Sequence, residues 1–364
     1  MTKDELYDKL IAMLPVENKD DKEFRVLLSD SFRTYQNYLD DTPEVEMDIK
    51  KEVTHICETL KEMVKAQYKG LHSQAFSKLS NLFYGTSGHK GLSEVLPVTI
   101  LGEHSSFFRA RTQSGNGKFT YKDMFHIPFD KRGIVKTQRY SFPGYPCLYV
   151  GATTYACWEE LHRIDFDLCM FSRIETQKKI ALLNMRIPSK EKYDEDIKAV
   201  LYLMPLLIAS MVIVKNLDAV FKPEYIVPQL MSEWIISHND KKETRKTDSF
   251  VYGICYTSSL KTDEFEFPSW TLDNVALFPI EVLTNKKYCP KLSEIFHITS
   301  PTCNEYEKLK CGYDIDGGHA GNTSRERELE ANYASSDFYN LEKRLMDKDK
   351  FALHKMNCKN EIFS

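Results

Sequence analysis

No Cys-x-x-Cys pair occurs in this chain of 364 residues, although it holds nine cysteines scattered from Cys57 to Cys358. Cysteine and histidine are not arranged at zinc-ligand spacings, so no structural metal site is expected. The opening MTKDELYDKL is charged and has no apolar core of a secretory signal, so reduced thiols in a cytoplasm are the expectation. Nor is there a run long enough to span a bilayer, which takes about 20 apolar residues. The longest uncharged candidate, AVLYLMPLLIASMVIV at 199–214, contains Pro205 and reads as a buried helix that the proline interrupts or starts. With a net charge of -4, nothing points to nucleic acid as the main partner. YGTSGHKG lacks the Gly-Lys-Ser/Thr of a phosphate loop, and no Gly-x-Ser-x-Gly nucleophile elbow is present. No Arg in the first 90 residues is followed by a His five to seven positions later, which removes the usual signature of a HEPN ribonuclease. Internal repeats are also missing.

What the chain does contain is a change of texture. In its first part, Ile49, Val53, Ile56, Leu60 and Met63 recur at three- and four-residue steps and make one apolar helical stripe. Gly70 can end that helix. From about residue 97 the pattern turns to short runs rich in branched and aromatic residues: VTIL (98–101), CLYVG (147–151), IALLNMRI (180–187), FVYGICYT (250–257) and NVALFPIEVL (274–283). Helical patterns lie between them near 154–164, 195–215 and 223–237. After about 288 the chain is polar, with the turn-rich GYDIDGGHAGNTS and then one charged helical stretch. The expected organisation is a helical domain over 1–96, an α+β domain over 97–287 with a mixed sheet, and a polar extension over 288–364 with a charged helix.

Several segments could carry chemistry. Arg109 and Arg111 in FFRAR are one residue apart on a strand and so share a face, and guanidinium forks suit phosphate oxygens. Lys131, Arg132, Lys136 and Arg139 cluster before the turn shaped by Gly144 and Pro146. Tyr149 sits inside the following strand, where a phenol can stack on a ligand ring. In TTYACWEELHRI, Cys157, Trp158, Leu161 and Ile164 share one helical face. On that wheel Glu160 falls about 90° from the centre of the face and Glu159 nearly opposite it. Glu159 is therefore expected to face water, and Glu160 to sit half-buried at the boundary. Late in the chain, GICYTSSLK presents hydroxyls at a strand end, and Asn274 opens the next strand. Each feature alone reads more readily as packing, turn or solvated surface than as a site.

Their order, Arg…Arg-Tyr-Ser…Leu-Tyr-Val-Gly…Glu…Gly-Ile-x-Tyr-x-Ser…Asn, resembles the RES domain, found as the toxin of many bacterial toxin–antitoxin pairs. The resemblance covers roughly residues 105–283. It places the family's first arginine on Arg109 and its second on Arg139 in QRYS. Its tyrosine falls on Tyr149, its glutamate on Glu160, its serine on Ser258 and its asparagine on Asn274. Gln138 stands where the family usually has glycine, and Ser259 lies beside Ser258. The resemblance implies a fold similar to ADP-ribosyltransferases and NAD+ as substrate, with no metal. Glu160 would stabilise the ribose cation, and Arg109 and Arg139 would hold the pyrophosphate and ribose. Tyr149 would stack on nicotinamide, while Ser258 and Asn274 would hydrogen-bond the ligand. Cleavage of the nicotinamide–ribose bond by water or phosphate is the leading expectation. ADP-ribosylation of a cellular macromolecule and a non-catalytic NAD-binding regulatory module are the alternatives. An antitoxin or regulatory protein is the expected partner, and no membrane is.

Overall fold

The computed structural model describes residues 1–112, 119–244, 250–260, 269–280, 286–303 and 324–356. Residues 312–323 of the turn-rich segment and 281–283 of the last apolar run lie outside them. The chain divides into two compact units. The fold is α+β with a helical N-terminal part, as the change of texture implies.

The first unit comprises Met1–Thr99, Lys136–Phe142 and Leu183–Ser249. Its N-terminal helices are α1 (Lys3–Ala12), α2 (Phe24–Asp40), α3 (Met47–Tyr68) and α4 (His72–Tyr84). On α3 the buried set includes Ile49, Val53, Ile56, Leu60 and Met63, the stripe visible in the sequence. A short hairpin, β1 (Gly85–Thr86) with β2 (His89–Lys90), follows α4. The unit also takes in α7 (Ile197–Ser210) and α8 (Ile226–Thr244), which lie far beyond residue 96. The reason is the composition of α7. Every residue from Ala199 to Ser210 is buried, so this helix needs cover on all sides, and α2, α3 and α8 pack against it.

Pro205 neither interrupts nor starts α7; the helix runs through it. A proline has no N–H to give the carbonyl four residues earlier, here that of Leu201. The hydroxyl of the fully buried Tyr35 on α2 donates to that carbonyl at 2.7 Å and fills the gap. Tyr35→Phe is expected to destabilise the protein by about 1–2 kcal/mol, because it leaves a buried acceptor unpaired. A chemical-denaturation midpoint equal to the wild type would contradict this account of how the proline is tolerated. Among the described residues, no helix is long and apolar enough to cross a membrane.

The second unit comprises Ile100–Val135, Pro143–Leu182 and Phe250–Ser364. The nine-stranded sheet consists of β3 (Val98–Leu101), β4 (Ser106–Thr112), β5 (Leu148–Gly151), β6 (Cys169–Thr176), β7 (Ile180–Met185), β8 (Val251–Thr257), β9 (Asp273–Leu277), β10 (Phe296–Thr299) and β11 (Leu353–Lys355); seven of these strands lie wholly in the second unit, while the residues of β3 and β7 are divided between the units. The strand order is β11-β10-β6-β4-β5-β9-β8-β7-β3. The central pairs β6–β4, β4–β5, β5–β9 and β9–β8 are antiparallel. Successive strand residues alternate between faces. Phe107 therefore enters a core with Leu148, Val150, Val275 and Leu277, while Phe108 enters another with Cys157, Phe171 and Leu341. The second face is covered by α5 (Thr154–Glu160) and by the C-terminal helices α10 (Ser324–Ala334) and α11 (Asp337–Met346). The charged tail forms two helices rather than one, because Ser336 turns out of the first and caps the second, accepting from the Tyr339 N–H at 3.3 Å.

Candidate functional site

Helix α5 begins where β5 ends, and Gly151 makes the tight passage between them. A Cβ there would lie 2.9 Å from both Cys157 Sγ and the Thr153 carbonyl oxygen. Thr153 is the N-cap: its hydroxyl accepts from the Ala156 N–H at 2.9 Å and donates to the Thr271 carbonyl at 2.6 Å. The helix is only seven residues long and ends on Glu160. His162 and Arg163 then take left-handed backbone conformations, with φ of 58° and 53°, which stops the helix and turns the chain back.

At this C-terminal end three residues from distant parts of the sequence meet. The Ser258 hydroxyl donates to Glu160 Oε1 at 2.7 Å, and the Asn274 amide donates to the same oxygen at 3.1 Å. Ser258 follows β8 and Asn274 lies on β9, whose register pairs Asn274 with Gly151 and with Tyr256. Both partners are nearly enclosed, Ser258 5% and Asn274 4% exposed, while Glu160 is exposed. The orientation of the pair is fixed in turn. The Leu260 N–H donates to Ser258 Oγ at 3.3 Å, and the Asn274 amide also reaches the Leu272 carbonyl at 3.2 Å. Between Ser258 and Ser259, it is Ser258 that touches the glutamate. The cluster thus presents a carboxylate to solvent from a rigid, hydrogen-bonded base, an arrangement suited to stabilising a positive charge on a bound group.

The wheel argument for the two glutamates is overturned. Glu159 is 3% exposed and buried, and Glu160 is the exposed one. The sequence marks an apolar face around Cys157 and Trp158, but Tyr155 is buried too, in a cluster with Leu272 and Tyr333. Glu159, one turn after Tyr155, follows it inward. Arg163, brought back by the left-handed turn, then covers Glu159 and donates from Nε at 2.9 Å.

The arginines sit elsewhere. By strand alternation Arg109 shares the Phe107 face of β4, while Tyr149 and Asn274 alternate to the face covered by α5. Arg109 Nη1 donates to the Tyr149 carbonyl at 2.5 Å, and its Nε is enclosed without a hydrogen-bond partner. Burial, and secondarily the neighbouring Arg111, pulls its pKa down to about 10. His126 lies near Arg109 and is neutral for the same reason: burial pulls it down to about 4. Its Nδ1 bonds the Ile127 carbonyl and its Nε2 accepts from the Cys289 N–H. Arg139 belongs to the first unit. There its guanidinium donates to the carbonyls of Ser210 and Val212 and lies over the Tyr225 ring. The structure therefore gathers Glu160, Ser258 and Asn274, places Tyr149 on the same sheet face, and puts Arg109 on the other.

One supporting residue had no sequence signal. Glu342 on α11 accepts from the Thr154 N–H at 2.6 Å, from the Thr154 hydroxyl at 3.0 Å and from the Tyr333 hydroxyl at 2.6 Å. It thereby closes the N-terminus of α5 opposite the end that carries Glu160. Thr153-Thr154 before an apolar run is a legible cap. A glutamate within a charged tail is not.

No protein-family model matches the chain, and no solved structure matches it. The chain is 30% identical over 315 residues to the curated protein named "Putative toxin YopC" of Bacillus subtilis (strain 168). The alignment covers 80% of this chain and 68% of that protein. Similarity of that extent takes in both compact units, and the chain belongs to the family of that YopC protein.

Proposed function

We propose that this chain is a bacterial toxin of RES type that consumes NAD+ by cleaving its nicotinamide–ribose bond. The observation that carries the reading is the Glu160 carboxylate, presented to solvent while Ser258 and Asn274 hold its Oε1. Family membership with a protein named as a toxin supports the biological role, and the RES resemblance supplies the substrate. Loss of nicotinamide builds positive charge on the ribose, as in glycoside hydrolysis. A carboxylate held beside that carbon stabilises the charge without having to reorganise. Tyr149, on the same face, would stack on the nicotinamide ring. Arg109 braces β5 at Tyr149 from the opposite face.

The chemistry needs no metal at this site. Water or phosphate accepts the ADP-ribosyl group, and depletion of NAD+ in a cytoplasm accounts for toxicity, with a protein antitoxin as the natural restraint. Purified full-length chain incubated with NAD+, with and without inorganic phosphate, tests the reading through nicotinamide release. Release is expected in at least one condition, and none in either would end the proposal. Radiolabelled NAD+ in a cell lysate separates the acceptors, since label on a macromolecule would move the activity to an ADP-ribosyltransferase.

A further inference from the structure

Within the first unit, Glu52 and His55 on α3 and His89 on β2 each bring one ligand-type atom close to the other two. These atoms all lie within 4.8 Å of one another. Glu52 and His55 are three residues apart and so share a helix face. His89 comes from the glycine-rich YGTSGHKG segment, and the structure shows what those glycines do. Gly85 and Gly88 have φ of 84° and 96°, and a Cβ on Gly85 would lie 2.7 Å from the Gly91 nitrogen. The segment is a tight hairpin that folds His89 back against α3.

Three observations set the cluster apart from an ordinary surface pair. His89 Nδ1 lies 2.8 Å from Glu52 Oε2, while Glu52 Oε1 is enclosed and has no hydrogen-bond partner. The rings of His55 and His89 are stacked, 3.8 Å between centroids and 9° between planes. Two imidazoles in that position repel when protonated. The neutral imidazole is the metal-ligating form.

We infer that Glu52, His55 and His89 form a binding site for a divalent transition-metal ion of the zinc type. Two imidazoles and one carboxylate are a zinc donor set with the fourth position left to water. A tetrahedral ion with bonds of about 2.0–2.1 Å holds its donors about 3.4 Å apart, so binding requires the two imidazoles to turn out of their stack until both in-plane nitrogens aim at the ion. The ion takes the place of the proton on His89 Nδ1, which moves to Nε2, and Glu52 turns from hydrogen-bond acceptor to ligand. Imidazole and carboxylate favour zinc over magnesium or calcium, which prefer all-oxygen shells. The site clamps the hairpin to α3. Spacing rules for cysteine and histidine miss it, because one ligand is a glutamate and the third arrives from a separate hairpin.

The test uses the full-length chain, stripped with a chelator and titrated with zinc chloride by calorimetry. One equivalent is expected to bind, and zinc is expected to raise the melting midpoint. His89→Ala, whose wild-type side chain is 39% exposed, and Glu52→Gln are each expected to weaken binding at least tenfold while keeping the far-ultraviolet circular dichroism. Cobalt(II) is expected to give ligand-field bands without a thiolate charge-transfer band, which excludes the cysteines as ligands. No binding, binding unchanged in His89→Ala, or a thiolate band that persists in that variant would overturn the assignment. None of these readouts depends on NAD+ turnover, so the site stands or falls separately from the proposed activity.

Discussion

Glu160→Gln is expected to lower nicotinamide release from NAD+ by at least ~100-fold, about 2.7 kcal/mol of transition-state stabilisation, the scale on which a single preorganised electrostatic contact contributes. Glutamine has the same shape, and its carbonyl oxygen can still accept from Ser258 at 2.7 Å and from Asn274 at 3.1 Å. The substitution therefore removes the charge and keeps the scaffold. Since Glu160 is exposed, the fold has little stake in it, and the melting midpoint should stay near that of the wild type. Glu159→Gln is the control, and the structure changes what it reports. Glu159 is buried and ion-paired with Arg163, so this variant should lose about 1 kcal/mol of stability while turning over normally. Full activity in Glu160→Gln, or equal loss in both variants, would remove Glu160 from the chemistry even if the chain does cleave NAD+.

The reversal of the two glutamates shows where sequence reasoning stops. Helical periodicity places residues on a wheel correctly, but the burial of each sector depends on what tertiary structure brings to it. On α3 one stripe meets one set of neighbours, and the buried residues include those the sequence marks out. On α5 three sectors are covered: by the sheet at Cys157, by Leu272 and Tyr333 at Tyr155, and by Arg163 over Glu159. No local pattern encodes the cover that Leu272 and Tyr333 give to Tyr155, and it is this cover that turns Glu159 inward. Strands are more legible, because branched and aromatic runs such as LYVG and IALLNM are short, bounded and largely buried by the sheet itself. The compact units are not, since α7 joins the N-terminal helices to satisfy an apolar surface on all its sides. The ordered motif brought Glu160, Ser258 and Asn274 together on paper because strand pairing places β5, β8 and β9 side by side. The same pairing puts Arg109 on the other face, which a linear motif does not encode.

Glu342→Ala is expected to destabilise the second unit by about 2 kcal/mol, because the Thr154 N–H loses its acceptor and the Tyr333 hydroxyl its 2.6 Å partner in a dry site, while the Thr154 hydroxyl keeps the Phe338 carbonyl at 3.1 Å. Thr154, Tyr333 and Glu342 itself are 0%, 3% and 8% exposed, so water does not replace the lost acceptor. The consequence reaches the site, since α5 runs from Thr154 to Glu160 and freeing its first turn loosens the helix that carries the carboxylate. Turnover should fall with stability in this variant, without any contact between Glu342 and substrate. A pH signature separates this from a simple cavity. Burial raises the Glu342 pKa from 4.5 to about 7, against the hydrogen bonds from Tyr333 and Thr154 that lower it. A carboxyl whose folded pKa is raised binds more protons folded than unfolded, so its contribution is fully present below about 4.5 and is lost as pH rises through about 7. Over that window the wild type should lose on the order of 3 kcal/mol from this group. Glu342→Gln keeps an acceptor for Thr154 and Tyr333 but cannot titrate. It should flatten the dependence and equal or exceed the wild type in stability at pH 8. A Glu342→Gln profile with the wild-type slope would mean that some other group sets the pH dependence, and that this helix is held to the sheet by its apolar contacts rather than by the cap at its N-terminus.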